Sequence, residues 1–224
     1  MQTQTEKGTI FRALHQRESA FVIPNPWDIG TARLLAQLGF EALATTSAGY
    51  AFSVGQRDNT IGRDKMMTRV AEIVAATELP VSADLENGFG DSPEVVAETI
   101  RLAAATGLVG GSSEDSTQRA DHPIYELALA VERVRAAVEV AHAPPFAFTL
   151  TARAENYRVG RLDLKDTIQR LQAYQEAGAD VLYAPGLTSK EDIAAVVSSV
   201  DRPVNVLIAM EKKELTCEAR RYFS

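Results

Sequence analysis

Two acidic residues separated by one position stand in the segment with the clearest chemical character. The segment reads Ala83-Asp84-Leu85-Glu86-Asn87-Gly88-Phe89-Gly90 and continues a short apolar run. Side chains two apart in a strand point to the same face, so we expect Asp84 and Glu86 to project together. Neighbouring carboxylates repel one another unless a proton or a cation lies between them. Hard oxygen ligands favour Mg²⁺ or Mn²⁺, so the pair predicts a metal site, with a solvated acidic loop as the alternative.

Further acidic residues follow the neighbouring apolar runs. Glu114 ends the run after that of Asp84, and Asp58 lies in a loop after an earlier run. We therefore predict Asp84, Glu86, Asp58 and Glu114 as the metal-binding set, although Asp58 is also compatible with a plain surface loop.

Arg153 lies within Thr151-Ala152-Arg153-Ala154-Glu155, directly after another apolar run. A guanidinium there suits bidentate binding of a substrate carboxylate. An ion pair with Glu155 or Glu114 is the alternative, and both can hold at once.

The elements that position these residues alternate between short apolar runs and longer segments of helical spacing. This alternation predicts a parallel sheet with crossover helices. Polar residues at the carboxyl ends of many strands are typical of a (β/α)₈ barrel. The first run is followed by Pro24-Asn25-Pro26-Trp27 instead of G-x-G-x-x-G, which disfavours a dinucleotide fold. The expected strands cover residues 21–23, 42–46, 81–83, 108–111, 146–150, 181–183 and 204–208.

Several helix ends carry capping signals. We expect helices from Asp28 to Leu38, from Ser92-Pro93 to Gly107, from Asp163 or Lys165 to Gly178, and from a capping box of Thr188 and Glu191.

Seven strands are counted before the sequence changes character at Met210, whereas a complete barrel needs eight. The predicted fold is therefore α/β, a (β/α)₈ TIM-type barrel that lacks its eighth strand and C-terminal helices. Residues 1–209 would form the barrel domain, and residues 210–224 an atypical charged tail. The eighth position would stay open or be filled by another segment or chain.

Composition limits the classes of partner. The formal net charge of −7 argues against nucleic-acid and anionic-membrane partners, which would require a basic face. A single cysteine, Cys217, excludes an internal disulfide. The polar first ten residues do not resemble a secretory signal, and no apolar run is long enough for a membrane span. We therefore expect a cytoplasmic protein.

Taken together, these motifs resemble the isocitrate lyase/phosphoenolpyruvate mutase superfamily, especially its small phosphonomutase-like bacterial members. The resemblance runs from about residue 11 to residue 208. It is carried by residues 24–28, 45–50, 82–90, 111–115, 151–156 and 203–206.

The resemblance implies a Mg²⁺-dependent enzyme that makes or breaks a C–C or P–C bond next to a 2-oxo acid. It would be a carbon–carbon lyase or a phosphoenolpyruvate-mutase-like isomerase, with a small carboxylate or phosphonate as substrate and a homo-oligomeric assembly. Asp84 would bind the metal directly, whereas Asp58, Glu86 and Glu114 would act mainly through metal-bound waters. The expected substrate-binding residues are Thr45, Thr46, Ser47, Arg153 and Asn205, and the expected catalytic residues are Arg153, Glu114 and His122.

Two departures from the superfamily pattern concern the chemistry. Isocitrate and methylisocitrate lyases carry a loop K-x-C-G-H whose cysteine is the catalytic acid, and residues 116–123 contain no cysteine. His122 could donate a proton instead, although a lone loop histidine is more often simply solvated. The sixth run ends in Tyr183-Ala184-Pro185-Gly186, where the lyases carry a glutamate, which indicates a different substrate or a different substrate half.

Two other functions are alternatives. The altered C-terminus would suit a non-catalytic remnant of such an enzyme. A phosphate-sugar barrel enzyme would require a glycine-rich phosphate loop after the last strands, which we do not recognise in the sequence.

Overall fold

The computed structural model describes residues 2–208 and shows an α/β fold built on one parallel sheet. The six strands lie in chain order, from β1 to β6, and every neighbouring pair is parallel. The sheet is a half-barrel of the TIM type. The strands are β1 (Leu43–Ala44), β2 (Val81–Asp84), β3 (Gly110–Glu114), β4 (Thr149–Arg153), β5 (Val181–Tyr183) and β6 (Val204–Asn205).

Eight helices are described over the same residues. They are α1 (Gln4–Gln16), α2 (Ile29–Gln37), α3 (Ser47–Ser53), α4 (Arg63–Ala75), α5 (Pro93–Ala105), α6 (Leu127–Ala141), α7 (Leu164–Glu176) and α8 (Lys190–Ser198). The expected caps at Asp28 and Asp163 are confirmed, since each side chain accepts a backbone N–H of the first helical turn. The capping box at Thr188 is wrong by one residue, because Ser189 is the N-cap of α8. No helix within residues 2–208 has the length and apolar character of a membrane span.

The strand predicted over residues 21–23 is wrong. These residues lie beside β1 but form no ladder with it. Pro24 and Pro26 have no N–H to donate, so a ladder could not continue beyond residue 23. The residues that follow are tied to β1, because Ala44 N–H donates to Pro24 O at 3.1 Å and the side-chain Nδ2 of Asn25 donates to Ala44 O at 2.9 Å.

The strands β3 and β4 begin two and three residues later than the apolar runs that predict them. The apolar residues before them, including Val109 and Phe148, are buried at the amino-terminal side of the sheet. The chain meets the sheet here before the regular ladder begins, since Val109 N–H donates to Val81 O at 3.0 Å and Thr149 N–H donates to Val109 O at 2.9 Å. Hydrophobicity marks this buried approach and not the residue at which the ladder starts. The predicted absence of an eighth strand and the tail over 210–224, with Cys217, lie outside the described residues.

Helix α1 covers the amino-terminal ends of the strands. Lys7 Nζ donates to Thr77 O at 3.0 Å, and Gln4 Nε2 donates to Ala104 O and Leu108 O at 2.8 Å. Phe11 is buried in the same region. Because this side of the sheet is closed, the carboxyl ends of the strands provide the open side.

Gly8 brings α1 against the chain just before β4, and its replacement tests this packing. A Cβ atom at Gly8 would overlap the backbone oxygen of Ala147 and lie 3.3 Å from its carbonyl carbon. Glycine to alanine normally stabilises a helix by about 1 kcal/mol. Here we expect Gly8→Ala to lower the free energy of unfolding by about 1–3 kcal/mol, because backbone cannot move aside as a flexible side chain can.

Urea denaturation measures this effect, with Gly30→Ala as the matched control. Gly30 also lies in a helix, but the nearest atom to its added Cβ would be Asp28 Oδ1 at 3.5 Å, an ordinary contact. We expect Gly30→Ala to be neutral or stabilising. A Gly8→Ala protein as stable as wild type would contradict the close packing of α1.

Candidate active site

A row of four side chains crosses the carboxyl ends of β3 to β6. Glu114 is in register with Arg153, and Arg153 is in register with Tyr183. Tyr183 pairs in turn with Asn205. Residues paired in this way point to the same face of a sheet. Asp84, the last residue of β2, adds a carboxylate beside this row.

Arg153 lies at the centre of the acidic residues. Its Nη1 is 3.0 Å from Asp84 Oδ1, and its Nη2 is 3.1 Å from Glu114 Oε2 and 2.9 Å from Glu155 Oε1. The side chain is only 13% exposed. Burial lowers the pKa of Arg153, but the three carboxylates raise it by more, so the pKa lies well above its ordinary value. Arg153 is therefore a permanent cation at the carboxyl edge of the sheet, and the expected ion pairs are present.

Ser47 links Asp84 to Asp58. Its Oγ lies 2.8 Å from Asp84 Oδ2 and 3.2 Å from Asp58 Oδ1, and its N–H donates to Asp84 Oδ2 at 3.2 Å. A hydroxyl carries one hydrogen and can donate to only one of the two carboxylates at a time. The other carboxylate then faces the hydroxyl oxygen without a shared proton, an arrangement that a divalent cation would relieve.

Glu86 lies beyond the end of β2, with a φ of 50° in the left-handed region. The prediction that strand alternation places it with Asp84 is therefore wrong, because the chain turns through positive φ at Glu86, Gly88 and Phe89. The two carboxylates nevertheless interact. Burial, followed by the negative charge of Asp84, raises the pKa of Glu86 to about 7. Its Oε1 is buried and has no hydrogen-bond partner among the described residues.

Glu114 and Glu155 complete the acidic group around Arg153. Burial raises the pKa of both carboxyls, and the guanidinium of Arg153 offsets only part of that rise. Arg153 thus contacts three carboxylates, those of Asp84, Glu114 and Glu155, and Glu86 and Asp58 lie near Asp84. Five carboxylates with one guanidinium leave an excess of negative charge, which protons or a further cation would offset.

The donor set fits a hard divalent cation in its chemistry. The four predicted metal ligands are all carboxylates near one strand edge, and the buried Glu86 Oε1 has no described partner. In the present arrangement Arg153 lies between Asp84 and Glu114, and within residues 2–208 no three acidic, histidine or cysteine side chains converge on one point. The metal assignment stays a prediction.

In this structure the threonine hydroxyls of the expected substrate-binding turn after β1 accept hydrogen bonds from backbone N–H groups. Thr45 Oγ1 accepts from Asp84 N–H at 3.2 Å, and Thr46 Oγ1 caps α3 by accepting from Gly49 N–H at 3.1 Å. Both hydroxyls therefore help to position Asp84 and Ser47. Asn205 is exposed at the end of β6. Substrate contacts of these residues stay predictions.

His122 lies in a hairpin formed by the chain after β3. Ser116 and Ile124 form an antiparallel bridge, and the Thr117 hydroxyl donates to the His122 backbone oxygen. The imidazole is exposed. From the same hairpin, Gln118 Nε2 donates to Glu86 Oε2 at 3.3 Å. The structure thus brings Gln118 to the acidic group, and a catalytic role of His122 stays a prediction.

Asp115 follows Glu114 directly but points away from the acidic group. It accepts hydrogen bonds from Tyr174 OH (2.6 Å), Arg170 Nη1 (3.0 Å) and Glu155 N–H (2.8 Å). Burial raises its pKa, and the hydrogen bonds from Tyr174 and Glu155 oppose that rise. Asp115 therefore ties α7 to the end of β4 and has a structural role.

The loop after Glu86 is held by two residues that the sequence did not single out. The buried guanidinium of Arg133 donates to the carbonyl oxygens of Asn87, Gly90 and Asp91, the Gly90 contact being 2.7 Å. It also stacks 4.1 Å from the ring of Tyr125, whose hydroxyl donates to Asp91 Oδ1 at 2.7 Å. Arg133 falls among the apolar positions that form the buried face of α6. A charged residue at such a position is the sequence signal that could have indicated these contacts.

Comparison with known proteins gives consistent matches. The family model of phosphoenolpyruvate phosphomutase matches residues 11–221. A candidate lyase or mutase from Burkholderia cenocepacia J2315 is 62% identical, with a TM-score of 0.95 over 98% of this chain and 79% of that one. A candidate phosphonomutase from the same organism is 36% identical, with a TM-score of 0.86 over 98% and 89% of the two chains. The 2-methylisocitrate lyase of Escherichia coli (strain K12) is 30% identical over 88% of this chain and 68% of the relative.

Proposed function

This chain belongs to the phosphoenolpyruvate phosphomutase family within the isocitrate lyase/phosphoenolpyruvate mutase superfamily, and from that membership we propose a metal-dependent lyase or phosphonomutase-like enzyme. It would cleave or form a C–C or P–C bond in a small carboxylate related to a 2-oxo acid. The observation that carries the proposal is the largely buried Arg153, which contacts three carboxylates at the carboxyl ends of the strands.

Asp84, Glu86, Asp58 and Glu114 would hold Mg²⁺ or Mn²⁺, both of which prefer oxygen ligands. When bound, the ion supplies Lewis-acid stabilisation of the negative charge that develops on a substrate oxygen during bond cleavage.

Arg153 orients the substrate in this proposal. It stays charged at any working pH, because the neighbouring carboxylates raise its pKa. A planar guanidinium pairs with a carboxylate in a defined geometry and so limits how the substrate can lie. Ser47 and the turn after β1 hold Asp84 in place through two hydrogen bonds.

The non-catalytic alternative is not favoured, since the family match covers most of the chain and the carboxylates of Asp84, Glu114 and Glu155 all contact Arg153. We do not extend the activity named for the E. coli lyase to this chain, because residues 116–123 lack the cysteine of the lyase loop. A TIM-type barrel, a cytoplasmic location and a homo-oligomeric state are further parts of the proposal.

A coupled assay tests the proposal. The purified protein is mixed with Mg²⁺, lactate dehydrogenase, NADH and a panel of small hydroxy acids and phosphonates whose cleavage releases pyruvate or a related 2-oxo acid. We expect NADH oxidation with at least one compound, and its loss when EDTA removes the metal. Turnover that persists in EDTA, or no turnover with any compound in the panel, would contradict the proposal.

A further inference from the structure

Tyr183 ends β5 in the middle of the row described above, between Arg153 and Asn205. Its ring lies 5.1 Å from the guanidinium carbon of Arg153. The residue is half-buried, and no described residue forms a hydrogen bond with its hydroxyl. The sheet thus places an unused hydrogen-bonding group beside the proposed substrate-orienting arginine.

The hydroxyl of Tyr183 is a donor at neutral pH. Burial, with the negative charges of Glu155 and Asp84, raises its pKa to about 12, while Arg153 and Arg158 act in the opposite direction. A protonated tyrosine both donates and accepts a hydrogen bond. The group that meets it can therefore be a hydroxyl or a carbonyl oxygen.

Two of the acidic residues, Asp84 and Glu114, come from β2 and β3, whereas Tyr183 comes from β5, on the opposite side of β4 and Arg153. Asp84 contacts Nη1 of Arg153 and Glu114 contacts Nη2, whereas β5 and β6 contribute the uncharged side chains of Tyr183 and Asn205. Asn205 is exposed. The row therefore continues from the charged end of the proposed site to an open, uncharged, hydrogen-bonding end.

We propose that Tyr183 is a specificity-determining residue whose hydroxyl binds an oxygen of the substrate beyond the 2-oxo-carboxylate unit. This inference rests on the proposed function. It narrows the substrate class to 2-oxo acids, or their precursors, that carry a hydroxyl or carbonyl oxygen on the third carbon or further along the chain. A site built to hydrogen-bond such an oxygen discriminates against an analogue that replaces it with a methyl group.

Two probes of nearly equal size isolate this contact. In the presence of Mg²⁺, 3-hydroxypyruvate carries a hydroxyl where 2-oxobutyrate carries a methyl group. Calorimetric titration gives the Kd of each probe for the wild type and for Tyr183→Phe, which keeps the ring against Arg153 and removes only the hydroxyl. We expect wild type to bind 3-hydroxypyruvate about tenfold more tightly than 2-oxobutyrate, the ratio expected for one hydrogen bond, and the variant to bind both alike.

Tyr50→Phe is the matched control, because the ring of Tyr50 also stacks on an arginine, Arg69, at 4.6 Å. We expect it to keep the wild-type preference. A Tyr183→Phe protein that keeps the tenfold preference, or a wild type that binds both probes equally, overturns the inference while leaving the proposed function standing. If neither probe binds to the wild type in a Mg²⁺-dependent way, both this inference and the proposed function are contradicted.

Discussion

Replacing Asp115 by alanine is expected to lower the free energy of unfolding by roughly 3–5 kcal/mol, the range for breaking a buried ion pair by removing one partner. The substitution leaves Arg170 Nη1, Tyr174 OH and the Glu155 N–H without their shared acceptor, 2.6–3.0 Å away in the wild type. Arg170 keeps Asp166 as a partner, at 2.9 Å from its Nε, so the loss is partial. The expected effect is nevertheless large, because Asp115, Arg170 and Tyr174 are all buried.

Chemical denaturation followed by circular dichroism measures this loss. Glu98→Ala is the control, since it removes an exposed acidic partner of Arg101 on the surface of α5. Exposed pairs contribute little to stability, so the control should unfold at the wild-type denaturant concentration. If Asp115→Ala and Glu98→Ala unfolded alike, the structural role of Asp115 would be contradicted.

Replacing Asp84 by asparagine is expected to lower turnover by about 10³-fold or more on any substrate that the coupled assay identifies. The side chain stays the same size but loses the charge that would hold the metal. Metal stabilisation of developing charge is worth several kcal/mol, and each 1.4 kcal/mol is about tenfold in rate. Asp84 also contacts Arg153 and Ser47, so the substitution affects the proposed orienting residue as well.

The comparison uses kcat of the two proteins at saturating Mg²⁺, with circular dichroism to verify that the variant is folded. Gln172→Ala on the outer surface of α7 is a suitable control, because its side chain donates to the exposed Ser199 backbone oxygen. A folded Asp84→Asn protein with turnover within a few fold of wild type would exclude Asp84 from the catalytic group.

The acidic group around Arg153 could be predicted because it depends on strand order. Asp84, Glu114 and Arg153 each end a strand, and adjacent parallel strands bring their carboxyl ends together whatever the details of the helices. The sequence shows Glu114 and Asp115 only as two neighbouring acids. Successive side chains of a strand point to opposite faces of the sheet, so only one of these two residues can point to the acidic group. The register of β3 decides which one does.

Other features depend on contacts between distant parts of the chain, and local patterns do not contain them. Arg133 reaches three carbonyl oxygens more than 40 residues earlier in the chain. The left-handed turn at Glu86 has no sequence signal at Glu86 itself, since glutamate rarely adopts positive φ. Pro24 and Pro26 show that a strand starting at residue 21 could not continue, but they do not explain the missing ladder over residues 21–23 itself.

A titration of the melting temperature with Mg²⁺, for the wild type and Asp84→Asn side by side, tests the central claim of an acidic metal site most directly. A ligand that binds only the folded state at a hundred times its Kd stabilises that state by about 2.7 kcal/mol. For a chain of this size we expect a rise of about 5–10 °C in the wild type and no change in Asp84→Asn. If Mg²⁺ and Mn²⁺ leave the wild-type transition unmoved, or raise that of Asp84→Asn equally, the carboxylates around Arg153 are not a metal site.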